Sequence, residues 1–332
     1  MKLATLPADP DRPGDGRHGR LVIVSRDLAR MVRADDVAPN LLDAIERWAE
    51  VAPALEARFA QLEADSLDDG LSAEPFPADQ ALAPLPRAPQ WLDGSVFANH
   101  AMLMEAALHP DQPHEPVDFP LIYQGASDDL RGPTDDIAGY DPAEGIDFEG
   151  EFGVIVDDVA LGTEAAAAAD HVQLVVLIND VSLRAHAGRE IATGFGFINA
   201  KPSTAFAPVA VTPDELGDAG RDARVHLPLR VTRNDDWFGH PNGTEMTFGF
   251  DDLIAYAAHS RRLRAGTIIG SGTVSNADRS AGSACIAERR AIEMLDAGQP
   301  STGFLQPGER VRLEVLDADG ASVFGTIDQR VV

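Results

Sequence analysis

Residues 147–156, DFEGEFGVIV, decide the fold because they alternate side chains at the period of a β-strand. One face of the predicted strand is apolar and consists of Phe148, Phe152, Val154 and Val156. The other face carries Glu149 and Glu151, with Asp147 beside them. We therefore predict a strand that packs its apolar face on a core and presents neighbouring carboxylates on the opposite face.

Two like-charged carboxylates side by side repel each other, and a bound cation relieves that repulsion. The alternative is a solvated strand face in an acidic protein. Residues 174–180, LVVLIND, predict a buried strand that ends in Asp180, whose alternative role is to cap the next turn. With Asp93, the four residues Asp93, Glu149, Glu151 and Asp180 form an all-carboxylate set. Such a set suits Mg²⁺ or Ca²⁺ better than zinc.

Other candidate residues lie in separate segments. His100 follows Asp93 by seven residues and is free to act as a base, although a single histidine is more often structural. Lys201 is the one lysine in the chain apart from Lys2, and its alternative is an ordinary surface position. Residues 267–274, TIIGSGTV, predict a strand that runs into glycines, where the backbone can approach a ligand closely.

Composition narrows the class of protein. The chain has 332 residues, 54 acidic against 27 basic side chains and a formal net charge of -27. A hydrophobic content of 44% excludes general disorder, and the acidic surface makes nucleic acid and membranes poor partners. The single cysteine excludes an intrachain disulfide and a cysteine-cluster metal site. Without an apolar signal segment or a spanning run, we expect a cytoplasmic protein.

The chain divides into an N-terminal unit and a longer strand-rich unit. In the first 80 residues we predict strands near Leu3 and at 20–25, then helical periodicity over 40–64 that Pro53 breaks into two helices, then a linker at 66–86. Later strands are predicted at 148–156, 172–179, 205–211, 225–232, 266–274, 310–316 and 322–327, and helices at 164–171 and 250–259. Because βαβ alternation is absent, we expect an α+β, β-dominated fold.

The order of short motifs resembles that of the fumarylacetoacetate hydrolase family over roughly residues 88–332. The motifs are Asp-x6-His at 93–100, Tyr-x-Gly at 123–125, Glu-x-Glu at 149–151, Asn-Asp-x-Ser-x-Arg at 179–184, a loop lysine at 201, Gly-Thr at 272–273 and a glutamate at 288. The resemblance implies a mixed β-sandwich roll as catalytic domain, at 81–332, after a small α+β N-terminal domain at 1–80. It also implies a homodimer.

The resemblance implies a role for each site residue. Asp93, Glu149, Glu151 and Asp180 would hold Mg²⁺ or Ca²⁺, with Mn²⁺ also possible. His100 would activate water, Glu288 would orient it, Arg184 and Lys201 would stabilise the oxyanion, and Tyr123 and Thr273 would contact substrate. At three further positions, which the resemblance implies are substrate and oxyanion contacts, this chain differs from fumarylacetoacetase. Ser95 stands where fumarylacetoacetase has a tyrosine, His109 where it has an arginine, and Ala187 where it has a glutamine.

The expected activity is metal-dependent hydrolysis of a carbon–carbon bond in a small β-diketone acid. Fumarylacetoacetate, an intermediate of tyrosine breakdown, is the first candidate and would give fumarate and acetoacetate. The alternatives are acylpyruvate hydrolysis, oxaloacetate decarboxylation, hydration or isomerisation of a 2-oxo-enoate, and a non-catalytic metal-binding scaffold. The presence of both His100 and Glu288 favours hydrolysis, because decarboxylation needs an electron sink but no base that activates water.

Overall fold

The structure is a computed structural model that describes residues 1–9, 16–108 and 117–332. Its strands are β1 (Lys2–Leu6), β2 (Arg20–Val24), β3 (Arg30–Arg33), β4 (Glu74–Pro75), β5 (Trp91–Gly94), β6 (Ile122–Gly125), β7 (Ile146–Asp147), β8 (Gly150–Val156), β9 (Val172–Asn179), β10 (Ser182–Leu183), β11 (Ala205–Phe206), β12 (Val209–Val211), β13 (Leu229–Arg233), β14 (Asp236–Gly239), β15 (Ile268–Gly270), β16 (Arg310–Leu316) and β17 (Ser322–Arg330).

The α-helices are α1 (Leu41–Glu46), α2 (Trp48–Glu63), α3 (Ala98–Leu108), α4 (Ala165–Ala168), α5 (Arg184–Thr193), α6 (Phe250–Ala258) and α7 (Ile286–Ala297). Short 3-10 helices are found at Gly16–His18, Ala78–Gln80, Pro142–Glu144, Ala169–His171, Pro213–Ala219, Gly243–Glu245 and Arg279–Ala281. This content confirms the predicted α+β, strand-rich class.

One large mixed sheet runs through the molecule in the order β4-β3-β2-β1-β12-β9-β8-β15-β5-β6, with β11 also paired to β9. The N-terminal strands belong to this sheet, because β1 pairs antiparallel with β12. A second, antiparallel sheet has the order β14-β13-β16-β17. At the centre of the large sheet, β8 pairs antiparallel with both β9 and β15, and β15 pairs parallel with β5.

The central strands are buried on both faces. Phe152 and Val154 of β8 belong to a core shared with the second sheet, which contributes Leu313 and Phe324. Ile155, on the opposite face of β8, belongs to another core that the N-terminal helices cover. Burial on both faces explains why β9 reads as a continuous apolar run rather than an alternating one.

Two N-terminal predictions are wrong. The helical segment breaks at Arg47, which has a non-helical backbone (φ −117°, ψ 27°), whereas Pro53 lies inside α2. The apolar stripe of α2 on both sides of Pro53 is buried, and that burial outweighs the one backbone hydrogen bond that proline cannot donate. The segment 66–86 is not a simple linker, because it contains β4 and buries Leu85.

Three helices were not predicted: α3, α5 and α7. The sequence of α7 does indicate a helix, because it is rich in alanine, glutamate and arginine and is followed by a glycine. That glycine, Gly298, ends the helix in the left-handed conformation (φ 76°). Among the described residues, every helix is too short or too polar to span a lipid bilayer.

Candidate active site

Four buried carboxylates meet at one end of the central strands. Asp93 lies on β5, Glu149 lies between β7 and β8, Glu151 lies on β8, and Asp180 directly follows β9. One oxygen from each of the four lies within 4.8 Å of the others. Strand pairing brings them near each other, because Asp93 aligns through Gly270 with Gly153, two residues after Glu151, and the backbone N–H of Asp180 donates to the carbonyl of Glu149.

Gly270 leaves the space that the Asp93 carboxylate occupies. This residue of β15 stands directly opposite Asp93 in the parallel pairing of β15 with β5. A Cβ atom at Gly270 would lie 2.5 Å from Oδ1 of Asp93 and 2.4 Å from the ring of Trp91. The predicted close approach of backbone in this strand is therefore an approach to a cluster carboxylate, and any side chain at Gly270 would displace it.

Lys201 bridges two of the carboxylates. Its Nζ atom lies 2.7 Å from Oε2 of Glu149 and 2.7 Å from Oδ2 of Asp180. Asp180 also accepts hydrogen bonds from the hydroxyl groups of Thr204 and Tyr123, both at 2.6 Å. Lys201 is thus a buried part of the cluster rather than a surface lysine, and Asp180 is held by three donors rather than capping a turn.

Glu151 differs from Glu149 and Asp180 because no ion pair with a cationic side chain is found for it within the described ranges of the chain. Among the described residues, neither of its carboxylate oxygens has a hydrogen-bond partner, although both are buried. Burial, together with the nearby charges of Asp93 and Asp180, raises the pKa of Glu151 well above its ordinary value. Burial and Asp180 likewise raise the pKa of Asp93 to about 8. The cluster therefore retains protons at neutral pH unless a cation is bound.

The pKa of Glu149, two residues before Glu151, is shifted in the opposite direction. Burial opposes its ionisation, but the positive charges of Lys201 and Arg184 outweigh burial and lower the pKa of Glu149 below its ordinary value. Nη2 of Arg184 lies 2.5 Å from Oε1 of Glu149. Glu149 is therefore held ionised by two fixed cations.

The charge and chemistry of the cluster fit a hard divalent cation. Four carboxylates bring up to four negative charges, Lys201 brings one positive charge, and Arg184 is shared between Glu149 and Asp147, so an excess of negative charge remains that a divalent ion would reduce. All donors are oxygen atoms, and Glu151 presents two that have no hydrogen-bond partner in the part of the chain that the structure describes. Such a set fits Mg²⁺, Ca²⁺ or Mn²⁺.

A histidine–carboxylate pair forms on two helices. Nδ1 of His100, on α3, lies 2.8 Å from Oε2 of Glu288, on α7. The His100 side chain is 15% exposed and that of Glu288 is 1% exposed, so the pair is shielded but open at the imidazole. His100 is among the groups whose positive charge, when present, would lower the pKa of Glu149, so the pair lies near the carboxylate cluster.

The remaining predicted site residues do not join this network. Ser95 is exposed, and its backbone N–H donates to the carbonyl of Leu121. Thr273 is only 4% exposed and follows β15 by three residues. Ala187 lies on α5, and His109 falls outside the described residues. Sequence reasoning did not assign Thr204, Gly270 or Asp147, although Asp147 carries a signal because it shares a strand face with Glu149.

Comparison with known proteins identifies the family. Residues 90–332 match the model for the fumarylacetoacetate (FAA) hydrolase C-terminal domain, and residues 1–87 match the model for fumarylacetoacetase N-terminal domain 2. A 2,4-didehydro-3-deoxy-L-rhamnonate hydrolase of Sphingomonas sp. (strain SKA58) is 30% identical over 157 residues, which are 46% of this chain and 52% of that protein. The chain spans 52% and 61% of the length of the first two curated relatives.

Solved structures share the fold over the whole chain. A Mycobacterium smegmatis protein assigned as HpcE superposes with a TM-score of 0.71 at 20% identity, covering 100% of this chain and 99% of that one. The maleylpyruvate hydrolase of Sphingobium sp. SYK-6 superposes with a TM-score of 0.66 at 18% identity and the same coverage, and was also solved with manganese(II) and pyruvate. With both family models matched, this chain belongs to the fumarylacetoacetate hydrolase family.

Proposed function

We propose that this protein is a divalent-metal-dependent hydrolase that cleaves a carbon–carbon bond in a β-diketone acid. The observation that carries the proposal is the 2.8 Å contact between His100 and Glu288 beside a buried carboxylate cluster. A metal-binding scaffold needs the cluster but has no use for a polarised histidine. A decarboxylase likewise needs an electron sink but no base for water.

Glu288 fixes which imidazole nitrogen of His100 is the base. Because the carboxylate faces Nδ1, the neutral imidazole carries its proton there and leaves Nε2 as the acceptor. Glu288 also stabilises the imidazolium that forms after Nε2 takes a proton. This pairing makes His100 a general base for water. General-base catalysis typically raises the reaction rate by about 10²- to 10⁴-fold.

The residues that would hold the metal are Asp93, Glu149, Glu151 and Asp180. When bound, a divalent cation polarises the carbonyl oxygens of a diketone and stabilises negative charge on the enolate that departs. Lys201 and Arg184 keep Glu149 ionised. The hydroxyl groups of Thr204 and Tyr123 orient Asp180.

In the proposed hydrolysis, His100 acts first as a base and then as an acid. Nε2 of His100 takes a proton from water while the water oxygen bonds to one carbonyl carbon of the diketone. The tetrahedral alkoxide collapses to a carboxylic acid and breaks the bond to the central carbon, which leaves with the electron pair as an enolate. The imidazolium of His100 returns the proton to that carbon, so one water is consumed and an acid and a ketone are formed. Lys201 and Arg184 supply the positive charge for the alkoxide.

Within this class we propose an acylpyruvate, a dioxo acid, ahead of fumarylacetoacetate. Ser95 and Ala187 replace a tyrosine and a glutamine at positions where the resemblance implies substrate and oxyanion contacts in fumarylacetoacetase. The Sphingomonas relative at 30% identity is named as the hydrolase of 2,4-didehydro-3-deoxy-L-rhamnonate, whose oxo groups stand at positions 2 and 4, as they do in an acylpyruvate. Both observations support a substrate other than fumarylacetoacetate.

The test is turnover by the full chain after EDTA treatment and after addition of Mg²⁺ or Mn²⁺. Acetylpyruvate and fumarylacetoacetate are compared side by side through the loss of diketone absorbance, and the products are identified by mass. We expect Mg²⁺-dependent release of a carboxylic acid and a ketone, faster with acetylpyruvate. An isomerised product of unchanged mass, or release of carbon dioxide instead of hydrolysis, would contradict the proposal.

A further inference from the structure

We infer that Asp147 is a positioning residue that holds the two arms of the site, the Glu288–His100 pair and the Arg184–Glu149 pair, in a fixed relation. This inference rests on the proposed function, because it assigns Asp147 a part in that reaction without contact to the substrate. Asp147 is fully buried on β7, and it is not a member of the four-carboxylate cluster.

The first arm begins at the N-terminus of α7. Oδ1 of Asp147 accepts the backbone N–H of Ile286 at 2.7 Å, and Oδ2 accepts that of Ala287 at 2.9 Å. The first N–H groups of a helix have no partner within the helix, and a negative charge at this end is favourable. Glu288 is the next residue, so the anchored first turn determines where its carboxylate meets His100.

The second arm is the guanidinium of Arg184. Its Nε donates to Oδ2 of Asp147 at 2.8 Å, while its Nη2 pairs with Oε1 of Glu149 at 2.5 Å. The guanidinium therefore contacts both carboxylates, through a hydrogen bond from Nε to Asp147 and through an ion pair between Nη2 and Glu149 that lacks hydrogen-bond geometry. Because Oδ2 of Asp147 also binds Ala287, a single oxygen atom joins both arms.

The number of donors that converge on Asp147 requires a carboxylate at this position. Three backbone N–H groups, including that of Phe148 at 2.8 Å, and one guanidinium N–H point at its two oxygens. An asparagine would place an NH₂ group against at least one of these donors, which would leave buried N–H groups without acceptors. Asp147→Asn therefore changes the position of α7 or of Arg184 while keeping the size of the side chain.

The test is a double-mutant cycle on kcat with Asp147→Asn and Glu288→Gln in the full chain. If Asp147 acts through Glu288, the double variant loses less than the product of the two single losses, by about fivefold or more. We expect Asp147→Asn alone to lower kcat by roughly 10- to 100-fold, the range for loss of an outer-shell partner, with a smaller change in KM. Losses that multiply, or an unchanged kcat, would overturn the inference.

The matched control is Asn40→Ala, which removes another side chain that caps a helix. Oδ1 of Asn40 accepts the N–H of Asp43 at the start of α1, in the N-terminal part of the chain. We expect this variant to lower the melting temperature and to leave kcat unchanged. If Asn40→Ala lowered kcat as much as Asp147→Asn does, the effect would be general destabilisation and the inference would fail.

Amide hydrogen exchange provides a readout that needs neither activity nor a stable variant. In the wild-type chain we expect the amides of Ile286 and Ala287 to exchange slowly, at least roughly tenfold slower than the uncapped first turn of a helix. Fast exchange would overturn the inference even if Asp147→Asn failed to fold. If the wild-type chain hydrolysed no diketone, the proposed function would be wrong, and the exchange measurement would still test whether Asp147 holds the first turn of α7.

Discussion

The carboxylate cluster and the His100–Glu288 pair are built from different parts of the fold. The cluster lies on neighbouring strands of one sheet, and its geometry follows from strand register. The pair joins two helices whose contributing residues are 188 positions apart in sequence. The cluster contains Glu151, whose buried oxygens have no partner among the described residues, whereas the two members of the pair satisfy each other.

This difference indicates which part of the site needs a ligand. A buried carboxylate without a partner destabilises the folded state, and a cation removes that cost. A hydrogen-bonded histidine–carboxylate pair is complete without a ligand. Variants in the cluster are therefore expected to change metal affinity and stability, and variants in the pair are expected to change catalysis while leaving metal affinity unchanged.

Glu151→Gln should have the largest effect. It removes a ligand from the proposed metal site, so we expect activity to fall to the level of the EDTA-treated enzyme. In EDTA the variant should melt at a higher temperature than the wild type, because it removes a carboxyl group whose raised pKa opposes folding. The raised pKa destabilises the folded state as pH rises above the unfolded value, so the gain in melting temperature should grow with pH. Differential scanning fluorimetry measures both effects.

Glu149→Gln is the matched control for this prediction. The same substitution two residues away breaks the pairs with Lys201 and Arg184, and breaking a buried pair costs about 3–5 kcal/mol. In EDTA the melting temperature should therefore fall. If both glutamine variants moved the melting temperature in the same direction, the contrast between the two glutamates would be wrong.

His100→Ala should have the next largest effect. Loss of the base is expected to lower kcat by about 10²–10⁴, while the dissociation constant for Mn²⁺ stays unchanged. The matched control is His171→Ala, because Nδ1 of His171 lies 2.6 Å from Asp157 in a similar pair outside the site. Steady-state kinetics should show full activity for His171→Ala, and surviving hydrolysis in His100→Ala would show that the base is another residue.

Glu288→Gln should lower kcat less than His100→Ala does, because the amide still contacts Nδ1 but no longer stabilises the imidazolium. The double variant should be no slower than His100→Ala alone, since the two residues act as a unit. The measurement is kcat for the two single variants and the double variant at saturating Mg²⁺. Multiplying losses would indicate that Glu288 acts on the reaction independently of His100.

The smallest expected effect is a dependence of Mg²⁺ affinity on pH. Asp93 has a pKa raised to about 8, and a metal binds its ionised form. Affinity for Mg²⁺ should therefore rise with pH by up to about tenfold per unit below pH 8 for each proton released. Calorimetric titration in buffers of different ionisation enthalpy measures the proton release. An affinity that is constant between pH 6.5 and pH 8 would contradict the raised pKa.

The same comparison explains what the sequence could predict. Strand alternation placed Glu149 and Glu151 on one face, and the apolar run before Asp180 predicted a buried strand, so the cluster residues could be grouped from local patterns. His100 and Glu288 were paired only through the resemblance, because the helices that carry them were not predicted. Contacts between distant helices leave no periodic signal in either segment.

Other features depended on tertiary packing. The break at Arg47 rather than at Pro53 follows from burial of the whole apolar stripe of α2, which local helix propensity does not include. The pairing of β1 with β12 joins residues about two hundred positions apart and could not be read from either strand. Asp147 shared a strand face with the glutamates, but only the structure reveals that its carboxylate meets α7 and Arg184.

The most direct test of the account is Mn²⁺ binding measured by electron paramagnetic resonance on three full-length proteins: wild type, Glu151→Gln and His100→Ala. If the cluster holds the metal and the helical pair does not, wild type and His100→Ala will bind one Mn²⁺ per chain with equal affinity. Glu151→Gln will then bind at least about 100-fold more weakly, beyond the loss that an outer-shell change causes. Equal binding by all three proteins, or weakened binding by His100→Ala alone, would contradict the division of the site into a metal-holding cluster and a catalytic pair.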